Sequence, residues 1–478
     1  MSSKRVLVLL GALCVALSTR SSALQRVDAQ GLQLRIGFAR PGGGYAIQTL
    51  PLETYIARVL AGEAARESPA AALEALAITI RTYALGNRDR HRADGFDLCD
   101  ETHCQVVRTA TPATTRAAEA TAGQILMSSG QVASVFYSAS CGGRSEIPSN
   151  VWPGAEDPPY LPTAEDDACL RAPEWEAHLR GADLLRAFRA AGFRGDQLRD
   201  LRITSRNSSD RVARLQVVGL TPSEVSGQDL RVIVGRTLGW QHIKSAAFDV
   251  RWSGAGYRFT GHGSGHGVGL CVIGSTNLAA RGTTAPAILQ KYFPGTVIAT
   301  AGASPAPPGN VLVSLPDADE GDRAAITRLA DAARGEIAGA LGVTPQSPIT
   351  IRFHTTTSDY ERATGHRWFT SGAWVRNEVH LAPLVTLRAR GVLDRTVRHA
   401  IVHAMVDEVL ANRPAWVREG AALYFSGERS LPERREACPQ DSELLQPVSA
   451  GALADAYARA RSCFTRQINN GRNWRDVR

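Results

Sequence analysis

Four places in the sequence put reactive side chains where they can act together. Glu63 lies one turn beyond Val59, on a stripe formed by Leu52, Tyr55, Ile56, Val59 and Leu60, so a carboxyl ends an otherwise apolar helix face. Partial desolvation there raises a carboxyl pKa and keeps the group protonated near neutrality, the state a general acid needs. The competing reading is a Glu that has simply reached solvent at a helix end. HRADGFDLCDETHCQ, residues 91–105, carries Cys99, His103 and Cys104 close together with His91 nearby, a set able to supply four tetrahedral zinc ligands. In an oxidising compartment, a Cys99–Cys104 disulfide competes with the metal. GHGSGHGVG, residues 261–269, lacks a Walker Lys and does not fit GxGxxG between strand and helix, which excludes a phosphate loop. Its glycines allow close backbone approach to a ligand, and His262 and His266 can then line a cleft; a tight structural turn is the alternative. Finally, His399 and His403 are spaced i, i+4 on a helix and can share one metal with Glu419.

The elements needed to hold these groups are of both kinds. Leu32 to Phe38 reads as a strand, and the Leu52–Glu63 stripe as a helix. Ser68-Pro69 reads as N-cap and first residue of a second helix, with Leu73, Leu76, Ala77, Ile80 and Ala84 on its apolar face. Gln131 to Tyr137, Arg214 to Val218 and Leu230 to Val234 look β-like, so the first module, 32–298, is expected to be mixed α+β. Residues 299–309, small and Pro-rich, read as a linker. A second, smaller α+β module follows over 310–430, with strands at Ile349 to Phe353 and Asn377 to Ala382. The tail, 431–478, reads as a disulfide-tied helical cap.

Composition narrows the class. The chain has 478 residues, 44% hydrophobic and 21% charged, with a formal net charge of +8, which excludes disorder throughout. No apolar run after residue 30 approaches the ~18 residues of a membrane span. Of the basic residues only Lys4, Lys244 and Lys291 are lysines; the arginines are interleaved with acids, so no nucleic-acid surface is expected. Lys4-Arg5, the apolar stretch Val6 to Leu17 and Ser21-Ser22-Ala23 form a signal-peptide pattern over 1–23, and the protein is expected to be exported. Seven cysteines then remain, so at least one is free, metal-bound or paired with another chain. Cys141 with Cys169, and Cys438 with Cys463, are reasonable local pairs.

LETYIARVLAGE…EALAITIRTYAL, FDLCDETHCQV, FYSASCGGRSE followed by VW, GHGSGHGVGL and KYFPGTVI resemble, in order, the motifs of the SpoIID/LytB family of stage II sporulation protein D glycan hydrolases and amidase enhancers. That resemblance implies a lytic transglycosylase cutting peptidoglycan glycan strands, with Glu63 in the position of the catalytic acid. It also implies sugar contacts from Arg81, Ser140, His262 and His266, and a structural zinc on Cys99, His103, Cys104 and His91. A non-catalytic, glycan-binding enhancer of a cell-wall amidase is the second reading. The chain departs from the family at Ala64-Ala65, where Met-Pro is usual after the Glu, and at Val272 to Ser275, where a Gln and an aromatic are usual. Residues 310–430 loosely resemble the HExxH-class zinc peptidases (peptidase MA-like), with His399, His403 and Glu419 as ligands. The general-base Glu of that motif is replaced by Ala400, so a pseudo-peptidase is expected.

Overall fold

The computed structural model describes residues 31–301, 310–344 and 348–478, so the signal-peptide segment and most of the proposed linker lie outside the described residues. The described part has the expected α+β character and organises around three hydrophobic cores.

The first core is built on β1 (Gln33–Ala39), which pairs antiparallel with β2 (Tyr45–Pro51) and parallel with β3 (Leu98–Cys99). From β2 the chain turns directly into α1 (Leu52–Glu63). Next comes α2 (Ala70–Gly86), where Ala75 to Ala84 are all buried; it is enclosed on every side rather than amphipathic. Pro69 is the residue before that helix, one position later than the sequence reading. Ser68 donates instead to the Ala65 carbonyl, at 2.8 Å. α3 (Pro112–Ala120) packs on both helices, and Val297–Thr300 pairs with β4 (Gln124–Ser128), so Ala299 and Thr300 belong to this sheet and not to a linker.

The second core belongs to a lobe inserted between residues 174 and 262. In it, Gly256–His262 is the central strand between Glu174–Arg180 and Phe248–Ser253. Within this lobe Leu230 to Val234 is helical, part of Gly227–Leu238, which corrects the strand expectation. The apolar run looked β-like, but the Ser226 hydroxyl accepts from Asp229 N–H at 2.9 Å and caps a helix that buries Leu230 and Val234 one turn apart.

The third core is C-terminal. Its sheet has the order Val311–Ser314, Ile349–Phe353, Glu378–Leu381, Gly372–Val375; the first three strands run parallel and the last antiparallel. The helices Leu393–Val406 and Ala415–Phe425 carry the second metal-type constellation. Cys438 and Cys463 are bonded, as expected. The tail is no separate cap, because Leu453, Phe464 and Trp474 complete the core of the module it follows. No described helix is long and apolar enough to cross a membrane.

Candidate functional site

Glu63 is the last residue of α1; Ala64 is already extended, at φ −70° and ψ 149°. Leu52, Tyr55, Ile56, Val59 and Leu60 are buried beneath it, as the stripe requires. Gly62 lets the chain at Val106 cross the helix end, because a Cβ there would stand 2.3 Å from the Val106 carbonyl oxygen. That crossing brings Val106 N–H to Glu63 Oε1, at 2.8 Å, while no described protein group donates to the other carboxyl oxygen. Burial pushes the Glu63 pKa up, and the Val106 N–H and the Arg108 charge oppose it only in part. The negative end of the α1 dipole acts in the same direction as burial. The arrangement is a carboxyl whose acid form burial favours, with one oxygen anchored and one available. Gly62→Ala is therefore expected to push the 106–108 segment off the helix end, costing about 1–3 kcal/mol by overpacking. A lowered urea-unfolding midpoint checks this, and an unchanged one would remove the close approach at Gly62 from the account.

Sequence reasoning missed the groups behind Glu63. Gln105 is fully buried; its Oε1 accepts from Tyr55 OH at 2.9 Å and its Nε2 donates to Tyr137 OH at 3.2 Å. Burial first, and then the nearby Glu63 carboxyl, raise the Tyr137 pKa well above its ordinary value. The available signal was a lone Gln among apolar neighbours directly after the His-Cys pair.

The glycine segment joins this site through its backbone. Leu270 and Cys271 pair parallel with Tyr137 and Ser138, so the residue bonded to Gln105 also borders the glycine loop. Gly263 takes φ +76° and would place a Cβ 3.1 Å from Gly142 Cα, so the two glycine-rich turns are locked together. His266 packs on Trp152, with ring centroids 4.9 Å apart, and Trp152 stacks on Phe136 at 4.5 Å. Val268 N–H donates to His266 Nδ1 at 3.0 Å, which leaves the proton on Nε2. Burial, helped by Arg231 and Arg211, holds the His266 pKa down at about 3. His262 is likewise lowered, by burial and then by Arg171 and Arg211. Both imidazoles are neutral near pH 7 and suited to hydrogen-bonding hydroxyl groups, not to donating a catalytic proton.

Two expected sugar contacts have other roles. Arg81 is 0% exposed, its guanidinium spanning the Glu53 carboxylate at 3.0 and 2.5 Å and donating to the carbonyls of Ala118 and Gln124. It ties α1, α2 and α3 together. Ser140 is equally buried, and its hydroxyl donates to the Ala172 carbonyl. Arg81→Met is expected to cost about 3–5 kcal/mol, since it strands the Glu53 carboxylate. A small change in the denaturation midpoint with lost glycan binding would instead return Arg81 to the binding site.

His91, Cys99, His103 and Cys104 converge, their ligand atoms lying within 4.8 Å of one another. Cys99 Sγ is 3.0 Å from His103 Nε2, which is 3.2 Å from His91 Nε2; Cys104 Sγ is 3.3 Å from the same atom. The edges of a zinc tetrahedron with S and N ligands are about 3.3–3.8 Å, so the donor set fits that ion. No bond joins Cys99 to Cys104. Behind the cluster His91 Nδ1 faces Asp94 Oδ2 at 3.4 Å, and Asp94 Oδ1 accepts from Ser314 and Arg352 of the C-terminal module, each at 2.8 Å.

In the C-terminal module, His399 Nε2 and His403 Nε2 are 3.1 Å apart, with Glu419 Oε2 3.4 and 3.5 Å from them. That buried carboxylate oxygen accepts no hydrogen bond among the described residues, as a metal ligand would. Asp407, unforeseen in the sequence, orients His403 through Nδ1 at 2.9 Å. Ala400 is buried and Glu408 is exposed, so neither supplies a base.

Comparison with known proteins agrees with the first module. The family model described as Stage II sporulation protein, SpoIID, matches residues 42–127. A domain of unknown function, DUF8618, matches residues 174–269, nearly the extent of the inserted lobe. Stage II sporulation protein D of Bacillus subtilis (strain 168) is 26% identical over 283 residues, covering 54% of this chain and 77% of that protein. An amidase enhancer of the same strain is 24% identical over 293 residues, covering 50% of this chain and 40% of that protein. An uncharacterized protein of Brachyspira hyodysenteriae is 26% identical over 258 residues, covering 53% of this chain and 67% of that protein. In its N-terminal half, then, where Glu63 and the His-Cys cluster lie, this chain carries a SpoIID family domain and is similar to stage II sporulation protein D and to an amidase enhancer.

Proposed function

We propose that this is an exported cell-wall protein whose first module is a lytic transglycosylase, cutting peptidoglycan glycan strands between N-acetylmuramic acid and N-acetylglucosamine. The observation that carries the reading is Glu63: a carboxyl with a raised pKa, anchored through one oxygen by Val106 N–H and without a protein donor on the other. Glu63 protonates the glycosidic oxygen as the bond to C1 breaks. The resulting carboxylate takes the proton of the muramic 6-hydroxyl, whose oxygen closes on C1 to give the 1,6-anhydro product. One carboxyl serves both steps, so no second carboxylate and no activated water are needed, unlike in two-carboxylate hydrolases. His262 and His266, both neutral, hydrogen-bond sugar hydroxyls.

His91, Cys99, His103 and Cys104 would hold a structural zinc, since four protein ligands leave no position for substrate. His399, His403 and Glu419 would hold a second ion in a module without the base a peptidase requires, which fits a targeting role. The test is product analysis by mass spectrometry, with purified protein on glycan strands with and without stem peptides. New 1,6-anhydromuramic ends are expected. The B. subtilis relative named an amidase enhancer, together with the altered segment at Val272 to Ser275, supports a second reading as a glycan-binding enhancer. Glycan retention without new ends, from both the parent and Glu63→Gln, would favour that reading and sink the first.

A further inference from the structure

Three cysteines that are far apart in sequence meet beneath the two glycine turns. Cys141 follows the SAS segment, Cys169 ends a turn in the loop before the inserted lobe, and Cys271 lies 130 residues from Cys141. With Asp166 they are all 3% exposed or less, and one ligand atom from each lies within 4.8 Å of the others. Cys141 Sγ is 3.3 Å from Asp166 Oδ2. No bond joins any of the three sulfurs, whereas Cys438 and Cys463 in the same structure are bonded. The pairing of Cys141 with Cys169 expected from sequence is thus replaced by a three-thiol, one-carboxylate cluster. A disulfide within it would leave one buried thiol over.

The surroundings are those of an anionic site. Asp166 Oδ2 accepts from Tyr292 OH at 2.8 Å, and Lys291 Nζ is 3.8 Å from Oδ1, so the carboxylate is oriented from behind. The Arg211 guanidinium, 3% exposed, donates to the Cys141 and Arg144 carbonyls at 2.8 and 3.0 Å. Its buried Nε has no hydrogen-bond partner, and among the described residues it makes no salt bridge. A buried cation is costly unless negative charge lies close by, and beside Arg211 that charge comes from Glu146 and, when ionised, from the three cysteines. Three thiolates and a carboxylate around a divalent ion leave two negative charges; the nearby cations are Arg211, which also has Glu146 beside it, and Lys291, which pairs with Asp167 at 3.0 Å as well as facing Asp166. A shallow depression bordered by Cys141, Glu165, Asp166, Lys291 and Tyr292 lies over the cluster and offers an entry path from solvent.

We propose that Cys141, Asp166, Cys169 and Cys271 form a closed zinc site, separate from the His91 cluster and independent of any role for Glu63. Sulfur–sulfur edges of about 3.8 Å in a zinc tetrahedron fall inside the observed spacing. Binding takes Zn²⁺ onto three thiolates and one carboxylate and releases the three thiol protons to solvent, with no change of oxidation state. Thiolate ligands select zinc over the hard cations calcium and magnesium. The ion would pin the end of the GHGSGHGVG segment to the Cys-Gly-Gly turn, fixing the loop that carries His262 and His266.

The test counts zinc by inductively coupled plasma mass spectrometry in the full chain carrying His399→Ala and His403→Ala, which removes the C-terminal site. Cys271→Ser added to that background is expected to lower the count by one zinc per chain, and Cys104→Ser to lower it by another. Cobalt-substituted protein should keep thiolate charge-transfer absorption in the Cys104→Ser chain and lose it only when Cys271→Ser is added. An unchanged zinc count in Cys271→Ser overturns the proposal. Should that variant not fold, alkylation of the parent decides. Cys141, Cys169 and Cys271 becoming reactive on adding a chelator without reductant supports the site; any pair needing reductant overturns it.

Discussion

Glu63→Gln is expected to lower the rate of 1,6-anhydro end formation by about 10²–10⁴-fold, the usual contribution of a positioned general acid. The amide keeps an oxygen for Val106 N–H and adds no bulk to the end of α1, so the unfolding midpoint and glycan retention should stay near the parent's. The pH dependence carries the same information. Because burial raises the Glu63 pKa, the acid form persists above the usual carboxylate range, and the parent rate should fall as pH rises through that raised value. The folded state also holds this proton more tightly than the unfolded chain. The Glu63 contribution to stability is therefore fully present below the unfolded pKa and is lost as pH rises through the folded one; Gln removes that dependence. A Gln variant that keeps most of the parent rate would sink Glu63 as the acid.

The second large effect concerns the His91 cluster. Cys104→Ser is expected to lose one zinc and a substantial part of the stability of the first core. Structural zinc contributes about 10–16 kcal/mol in peptides that have no other core, and this module also buries α1 and α2, so a fraction of that range applies. Chelator added to the parent should lower its unfolding temperature toward that of Cys104→Ser, and should move that variant much less. Recovery of a Cys99–Cys104 disulfide peptide after digestion without reductant would remove the metal from the account. It would leave His91 and His103 as ordinary buried imidazoles.

What the sequence made legible was local. The 3.6-residue stripe placed Glu63 at the end of α1, and the spacing of Cys99, His103 and Cys104 brought their ligand atoms together with His91, because β3 and the following turn span only a few residues. The central strands of the C-terminal sheet were likewise readable from their short apolar runs. Pairings over long separations were not. Arg81 looked like a ligand contact because its partner Glu53 sits on a different helix, 28 residues earlier. Cys141, Cys169 and Cys271 could not be grouped, because Cys271 lies 130 residues from Cys141 and only the local pair Cys141 and Cys169 is suggested by spacing. Leu230 to Val234 shows the opposite error, an apolar run whose periodicity was overruled by the Ser226 cap.

Asp94 has a partner on each side. Its Oδ2 faces His91 Nδ1, and its Oδ1 is held by Ser314 and Arg352 of the C-terminal module. A carboxylate shared in this way makes ligand orientation and module docking one equilibrium. Whatever free energy Arg352 contributes to holding His91 in its ligating pose, an ion on His91 must return to the docking of the module. Arg352→Ala should therefore weaken zinc retention at His91 by the same factor by which zinc removal loosens the contact between modules, although Arg352 touches no ligand atom. On this account the C-terminal module would act on the first module as a thermodynamic regulator of any metal held at His91.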